Sequence, residues 1–167
     1  MDASSQSASP AQEASAICTI RAARAEDLDD IFAIDTACFP PEIAYPKEFL
    51  HQLLCSPTSV PRVAVVDDAI VGFSIVEMRK QGLRPVGELV TIDVVEAMRH
   101  KGVGQSLHAA IERAVQQRGG KKLRLQVSVE NQAAQRFYQQ LGYRTRGRIP
   151  RYYNHTIDAW WMEKSWK

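Results

Sequence analysis

The sequence lacks the features that mark several large protein classes. It contains no run of about 18 apolar residues, so we expect no membrane-spanning helix. Its three cysteines, Cys18, Cys38 and Cys55, include no CxxC pair, which argues against a disulfide framework and against a zinc site. Its four histidines are scattered without the close spacing of a metal motif. We therefore expect no bound metal, and thiols that stay reduced in the cytoplasm.

The sequence also lacks a strong excess of one charge. Its 21 Lys and Arg residues exceed its 19 Asp and Glu residues by two, which gives no reason to expect a nucleic-acid partner. Residues 1–16 have neither the basic start nor the apolar centre of a secretory signal, and their Ser, Ala and Gln content predicts a disordered tail. The remaining length supports one hydrophobic core. We expect a single domain over residues 17–167, as a monomer or a homodimer.

What is present is a series of antiparallel strands followed by a strand–helix–strand unit. Helical patterns cover residues 25–38 and 46–54, and Asp67-Asp68 between two β-rich runs predicts a hairpin. An apolar strand at residues 88–95 leads into an amphipathic helix from Val103, and an alternating strand follows at residues 123–127. This crossover is expected to be right-handed, which sets the two strands parallel.

The end of the chain completes the expected fold. A short helix at residues 131–141 precedes two strands at residues 143–149 and 157–166, with a loop at residues 150–155 between them. Pro57 and Pro61 are expected to close the region before the first hairpin. The fold class is therefore α/β (α+β), with a mixed central sheet of about six or seven strands flanked by about four helices.

The stretch RHKGVGQS at residues 99–106 places two glycines between a strand and a helix. Unpaired backbone N–H groups at a helix start can bind phosphate, and glycine lets the backbone approach it closely. The spacing fits neither a P-loop nor a dinucleotide fingerprint, because Gln105 follows Gly104 and Leu107 occupies the third glycine position. On pattern alone, a phosphate site and a tight turn with nothing bound are both open.

Two motifs resemble the GNAT superfamily of acetyl-CoA-dependent N-acetyltransferases. RHKGVG at residues 99–104 fits its [RQ]-x-x-G-x-[GA] signature, and NQAAQRFYQQLGY at residues 131–143 resembles its second hallmark, N-x-x-A-x-x-x-Y-x-x-x-G-[FY]. The resemblance covers residues 17–166 and is strongest to RimI-like ribosomal-protein alanine N-acetyltransferases. It implies the GNAT fold, acetyl-CoA as cosubstrate and no metal. It also implies that the pyrophosphate of coenzyme A is held at Arg99, His100, Lys101, Gly102, Val103, Gly104, Gln105 and Ser106.

The resemblance assigns three further roles around the coenzyme. The Tyr138 hydroxyl would donate a proton to the departing sulfur, although an aromatic in a helix core is the alternative reading. A backbone N–H at Ile92, Asp93 or Val94 would meet the thioester carbonyl oxygen. Asn131 would contact the pantetheine arm or cap its own helix, and the cap alone suffices to explain it.

The general base is expected at one of two positions. RimI-like enzymes place a glutamate twelve residues before the tyrosine, where this chain has Gln126, which cannot accept a proton at neutral pH. Histone-type members of the superfamily have their glutamate at the position of Glu88. Glu88 is therefore the candidate base and would also contact the acceptor, while an ordinary strand-end glutamate in solvent is the alternative.

Residues 148–162 resemble the R-x-x-x-Y-Y…D-A-x-x-M segment of N-terminal protein acetyltransferases, in which tyrosines line the peptide entrance. The resemblance implies Tyr152 and Tyr153 as substrate-site residues. FPPEIAY at residues 39–45 would form the other side of the entrance, with Phe39, Ile43 and Tyr45 as candidates. Ala44-Tyr45 stands where RimI-like proteins have Trp-Ser, so the acceptor is weakly determined.

Three functions remain open on the sequence. The first is direct transfer of acetyl, in a ternary complex, to a protein or peptide α-amino group. The second is acetylation of a small amine such as a polyamine, amino acid or aminoglycoside, and the third is an acyl-CoA sensor without turnover. Arg144, Arg146 and Arg148 alternate along a predicted strand and are expected to share one face. That face is either solvated surface or a site for an acidic peptide or the coenzyme's other phosphate.

Overall fold

The computed structural model describes residues 17–167, and the tail predicted for residues 1–16 lies outside them. Within the described part, no helix is both long and apolar enough to cross a membrane. The elements in chain order are β1 (Thr19–Ala22), α1 (Leu28–Cys38), α2 (Lys47–Cys55), β2 (Ser59–Val66), β3 (Ala69–Gln81), β4 (Arg84–Val94), α3 (Val103–Gln117), β5 (Lys122–Ser128), α4 (Gln132–Gln140), β6 (Arg144–Tyr153) and β7 (Ile157–Ser165).

The strands form one mixed sheet in the order β1-β2-β3-β4-β5-β7-β6. Every neighbouring pair is antiparallel except β4 and β5, which α3 connects as a parallel crossover. At the β2–β3 hairpin, Asp67 and Asp68 both have positive φ, as a tight two-residue turn requires. The structure therefore confirms the predicted mixed sheet and its late parallel unit.

Helices cover the two faces of the sheet unequally. On one face, Ile31 and Leu50 of α1 and α2 pack against Val63, Phe73 and other apolar residues of β2–β4. On the other face, α3 and α4 pack against a longer apolar surface that continues to β7. Burying a side chain of this size contributes roughly 1.5–3 kcal/mol. The face of β5, β7 and β6 away from α3 carries partly exposed polar and aromatic side chains instead.

The sheet opens between its two central strands. β4 and β5 pair only at Gly87–Leu123 and Glu88–Arg124, and beyond Glu88 the strands diverge. In the same region β4 has a register shift against β3, because Ile75 pairs with Thr91 while Val76 pairs with Leu89. The bulge at Val90 and the divergence together leave a gap in the middle of the sheet.

Two proline-based boundaries in the prediction are wrong. Pro61 lies inside β2, where its nitrogen faces the β1 side just past the last β1–β2 pair, so no ladder hydrogen bond is lost there. Residues 150–153, expected in a loop, belong to β6, and only residues 154–156 form the connection to β7. Pro150 is tolerated because β6 is an edge strand.

The predicted common face of the three alternating arginines is also wrong. A register shift between Thr145 and Gly147 inserts one extra residue into β6. Arg144 therefore pairs with Glu163 while Arg148 pairs with Trp160, and these two β7 residues point to opposite faces. Arg148 instead bonds Asp158 and lies over the Trp160 ring.

Candidate active site

The glycine turn forms the start of α3, as the motif predicts. Gly102 is the N-cap, has a left-handed φ of 83° and offers no side chain to cap the helix. The first intrahelical bond runs from the Ser106 N–H to the Gly102 carbonyl, and the earlier N–H groups of an α-helix have no intrahelical partner. The turn thus presents several donors at the positive end of a fifteen-residue helix, which suits an anion.

The two glycines serve different purposes. Gly102 is required for its backbone conformation, since φ of 83° is unfavourable for any residue with a Cβ. Gly104 has ordinary helical geometry, but a Cβ there would lie 3.2 Å from the Phe137 ring. Gly104 therefore lets α3 approach α4, and only Gly102 shapes the turn itself.

The basic side chains before the glycines are arranged unequally. The Arg99 guanidinium turns back, with Nε donating to the Val94 carbonyl at 3.0 Å and Nη2 to Cys38 Sγ at 3.5 Å. It thereby joins the turn to the end of β4 and to α1. His100 has a positive φ, and both His100 and Lys101 are exposed. Positive charge next to the turn therefore comes from Lys101 and Arg99.

Tyr138 of α4 reaches the gap in the sheet. It is buried, and its ring packs edge-on against Phe137 and Tyr143. Burial raises the pKa of its hydroxyl, and the nearby Asp93, Tyr153 and Tyr45 raise it further. Asp93 and Tyr45 lie on the opposite face from α4, so Tyr138 interacts with them through the gap. The Tyr138 hydroxyl therefore stays protonated, and it can act as a hydrogen-bond donor at this position.

A buried histidine hydrogen-bonds Tyr143. His108 of α3 is 2% exposed, and its Nε2 lies 2.9 Å from the Tyr143 hydroxyl. Burial lowers the pKa of His108 to about 4, with Lys164 adding to the shift, so the imidazole is neutral. Lys164 bonds Glu112 at 2.6 Å, and Glu112 lies 3.6 Å from His108 Nδ1. This network fixes the ring against which Tyr138 packs.

Two buried carboxyl groups lie on the α1 side of the gap. Burial raises the pKa of Asp93 to about 7, although the Thr91 hydroxyl donates to its Oδ2 at 2.6 Å. Asp35 of α1 is fully buried and accepts from the Tyr45 N–H at 2.7 Å, and its Oδ1 has no partner among the described residues. Burial raises the pKa of Asp35 as well. Asp93 was predicted only as a backbone contact, and its side chain is an addition from the structure.

Glu88 lies at the point where β4 and β5 diverge. Its Oε2 accepts from Arg124 Nη2 at 3.1 Å, and its side chain is 27% exposed. The ordinary solvated strand end considered as the alternative does not describe this position, because the carboxylate is paired and mostly covered. Arg124 shares its face of β5 with Lys122 and Gln126, an alternation visible in the sequence, but the sequence did not show its contact with Glu88.

The tyrosines predicted at the entrance come together around the gap. The Tyr45 hydroxyl donates to the Val90 carbonyl at the β4 bulge, and burial raises the pKa of Tyr45 to about 12. Tyr153 donates to the Gln126 carbonyl at 3.2 Å, and its ring contacts that of Tyr152, which is half-exposed. Burial raises the pKa of Tyr152, and the charge of the nearby Glu88 raises it further.

The remaining predicted residues have simpler environments. Phe39 and Ile43 are partly buried in the segment between α1 and α2, and no polar contact of their side chains is possible. Asn131 caps α4, its Oδ1 accepting from the Ala134 N–H at 3.0 Å, so the capping role is confirmed. Ile92 packs toward α3, and Val94 receives the Arg99 contact through its carbonyl.

The described residues fit coenzyme A as the cosubstrate. The uncapped α3 turn provides N–H donors for a pyrophosphate, and backbone groups of β4 beyond Glu88 have no strand partner on the β5 side. An extended amide-bearing chain could bond those groups. The glycine turn follows the diverging end of β4, and Glu88 lies where the divergence begins, so a chain bound along the gap would run from the turn toward Glu88.

The chain is similar in sequence and in fold to known acetyltransferases. Residues 28–143 match the acetyltransferase (GNAT) family. An N-alpha-acetyltransferase from Sulfurisphaera tokodaii is 30% identical over 152 residues, covering 86% of this chain and 90% of that protein. Two solved structures share the fold at 20% identity and cover 89% of this chain. They are the ribosomal-protein-S18-alanine N-acetyltransferase of Escherichia coli (TM-score 0.78, 94% of that chain) and Arabidopsis thaliana NAA60 with acetyl-CoA (TM-score 0.79, 98% of that chain).

The family match spans the parts of the chain that carry the site, from α1 through the glycine turn to Tyr143. The fold and the uncapped turn are those expected from the resemblance. The chain therefore belongs to the acetyltransferase (GNAT) family and is an acetyl-CoA-dependent N-acetyltransferase.

Proposed function

We propose that this enzyme acetylates the α-amino group of a protein or peptide N-terminus. The observation that carries the proposal is the placement of Glu88 and Tyr138 on the two faces of the sheet, at the gap between β4 and β5. The acceptor class is supported by Tyr45, Tyr152 and Tyr153 around the gap, and by the similarity to N-alpha-acetyltransferases.

Glu88 acts as the base in this proposal. The acceptor arrives as an ammonium group, which cannot attack a carbonyl carbon until it loses a proton. The Glu88 carboxylate is the anionic group at the gap that is partly open to solvent, and it takes this proton directly or through a water. Gln126 occupies the alternative position and cannot do so.

Tyr138 acts as the acid. As the acceptor nitrogen forms its bond to the acetyl carbon, the carbon–sulfur bond breaks and the sulfur takes up negative charge. The Tyr138 hydroxyl donates its proton to that sulfur. A backbone N–H of β4, at Ile92, Asp93 or Val94, stabilises the negative charge that develops on the carbonyl oxygen. Both substrates are bound before transfer, because the acceptor nitrogen attacks the acetyl carbon directly.

The test is thiol release from acetyl-CoA with defined acceptors. Peptides beginning with Ala, Ser or Met are compared with the same peptides blocked at the N-terminus, and with spermidine and free lysine. We expect release with at least one free peptide and none with its blocked form, and mass spectrometry should locate the acetyl group on the α-nitrogen. Release only with small amines would transfer the proposal to that substrate class. Stabilisation by coenzyme A without release would indicate a sensor.

A further inference from the structure

The Glu88–Arg124 ion pair is the last contact before β4 and β5 diverge. Glu88 and Arg124 are direct partners in the parallel register, so their side chains leave the same face of the sheet. Arg124 Nη2 donates to Glu88 Oε2 at 3.1 Å, with the two side chains 25% and 27% exposed. The carboxylate is therefore held at the edge of the gap.

Arg124 lies between two carboxylates but bonds only one. In the β5–β7 register it is opposite Glu163, whose carboxylate bonds Lys122 at 2.9 Å and lies 3.8 Å from Arg146 Nε. Lys122 and Arg146 thus neutralise Glu163, and Arg124 pairs with Glu88. Its own Nε is buried with no acceptor among residues 17–167. Such a donor costs stability, so packing alone gives no reason for an arginine here.

We propose that Arg124 is a positioning residue for acetyl transfer, which fixes the Glu88 carboxylate and places a permanent cation beside the acceptor nitrogen. The inference rests on the proposed role of Glu88. A guanidinium remains protonated throughout, so it disfavours a second positive charge nearby. The ammonium nitrogen loses its N–H bond, Glu88 gains an O–H bond, and the neutral amine keeps the lone pair for attack.

Other charged groups around Glu88 stay in place when Arg124 is changed. Glu77 of β3 is the cross-strand partner of Glu88, and Arg79 pairs with Glu77. Tyr152 of β6 lies on the same side. Because these groups are constant, a change in the pH dependence of the Arg124 variant reports on Arg124.

The test is the pH profile of kcat/KM for Arg124→Gln, with whichever amine the enzyme accepts. Without the cation beside it, the acceptor amine should hold its proton to higher pH. We therefore expect the acid limb, where kcat/KM falls as the pH is lowered, to move up by about one pH unit, and kcat/KM at neutral pH to fall about tenfold. Arg124→Lys keeps the charge and should retain most of the profile. Lys121→Gln removes an exposed cation just before β5 that forms no ion pair in the described part of the chain, and should leave the profile unchanged. Thermal melting confirms that each variant is folded.

Each outcome decides the inference. A shifted limb in Arg124→Gln, absent from the lysine variant and from Lys121→Gln, supports it. An unchanged limb overturns it, even if the rate falls uniformly. Should Arg124→Gln fail to fold, Arg124→Met removes the same charge and keeps a long unbranched side chain, and a shifted or unchanged acid limb in that variant is interpreted in the same way. Loss of wild-type transfer to every amine would overturn the proposed function as well, which separates the two failures.

Discussion

The two sides of the gap are built in different ways. The glycine turn, residues 99–106, is one continuous segment whose donors are backbone N–H groups. The proposed acceptor side, defined by Tyr45, Glu88, Arg124, Tyr152 and Tyr153, comes from four separate parts of the chain. A backbone site tolerates changes of side chain as long as its conformation is kept, whereas a side-chain site depends on each residue. Substitutions on the acceptor side should therefore alter chemistry and amine choice, and those in the turn should alter coenzyme affinity.

The largest effect is expected from Glu88→Gln. The amide keeps the size of the side chain and can still accept from Arg124, but it cannot take a proton, so kcat/KM at neutral pH should fall about 100-fold or more. Steady-state kinetics report on the acceptor side, and calorimetry of coenzyme A binding reports on the glycine turn. The affinity of Glu88→Gln for coenzyme A should equal that of wild type. Glu77→Gln on the neighbouring strand is the matched control. Full activity of Glu88→Gln at neutral pH would remove Glu88 from the mechanism.

A buried acid lies behind the acceptor side, and Asp93→Asn tests it. The pKa of Asp93 is about 7 in the folded protein and 3.8 as an unperturbed group, so the folded state binds the extra proton between these values. Its stabilisation is complete below the lower pKa and is lost as pH rises through the upper one. Asp93→Asn should therefore gain roughly 2–4 kcal/mol over wild type between about pH 4 and pH 8. Urea unfolding at both pH values measures this, and an equal difference at both would contradict it.

A buried histidine, His108, lies in the helix that follows the glycine turn. Its effect on stability should have the opposite pH dependence to that of Asp93. The pKa of His108 is about 4 in the folded protein against 6.5 unperturbed, so the unfolded chain binds more protons between these values. Stability is therefore lost as pH falls from about 6.5 toward 4. Between pH 7 and pH 5, wild type should lose about 2 kcal/mol more unfolding free energy than His108→Gln does, whatever the difference between the two proteins at pH 7. A wild-type and variant difference that stays constant over this range would show that His108 does not titrate as described.

Gly102→Val tests the backbone construction of the turn. A β-branched residue at φ of 83° is strained by about 1–3 kcal/mol, so the turn should relax and coenzyme affinity should fall about tenfold. Gly82→Val is the control, because Gly82 has φ of 63° with open space around it at the β3–β4 hairpin. It should lose comparable stability and keep its coenzyme affinity. Equal affinity loss in both variants would mean that the effect is one of general destabilisation.

The smallest effect is expected at the start of α4. Asn131→Ala removes the bond to the Ala134 N–H and should cost about 1 kcal/mol of unfolding free energy. Asn131→Asp keeps an acceptor and should retain most of it. If coenzyme affinity falls in both variants, Asn131 contacts the coenzyme in addition to capping the helix, and α4 joins the glycine turn in holding it.

Local signals in the sequence were sufficient for the turn and for its supporting unit. The glycine spacing, the amphipathic α3 pattern and the alternation in β5 all act within a few residues, so they predicted the parallel crossover and the candidate donors. Local signals were misleading in β6, where Pro150 indicates a loop only if the neighbouring strand is ignored. The inserted residue after Thr145, which turns Arg148 to the other face, is likewise fixed by pairing with β7.

Contacts between distant segments were the part that sequence reasoning missed. Glu88 and Arg124 are 36 residues apart, and Asp35 meets the Tyr45 N–H only because the segment after α1 folds back. No sequence motif around Asp35 or Asp93 distinguishes these two residues from surface aspartates. Their burial depends on the packing of α1 over β4, which only the three-dimensional structure provides.

The two-pair junction between β4 and β5 gives an internal strand the character of a sheet edge for half its length. Amide hydrogens on the β5 side of residues 89–94 should exchange with solvent faster than those of β3, although both strands lie in the middle of the sheet. A ligand chain that lies in the gap would act as the missing strand and slow that exchange. Hydrogen exchange at these few amides would therefore report occupancy of the gap in an inactive variant as well as in the active enzyme.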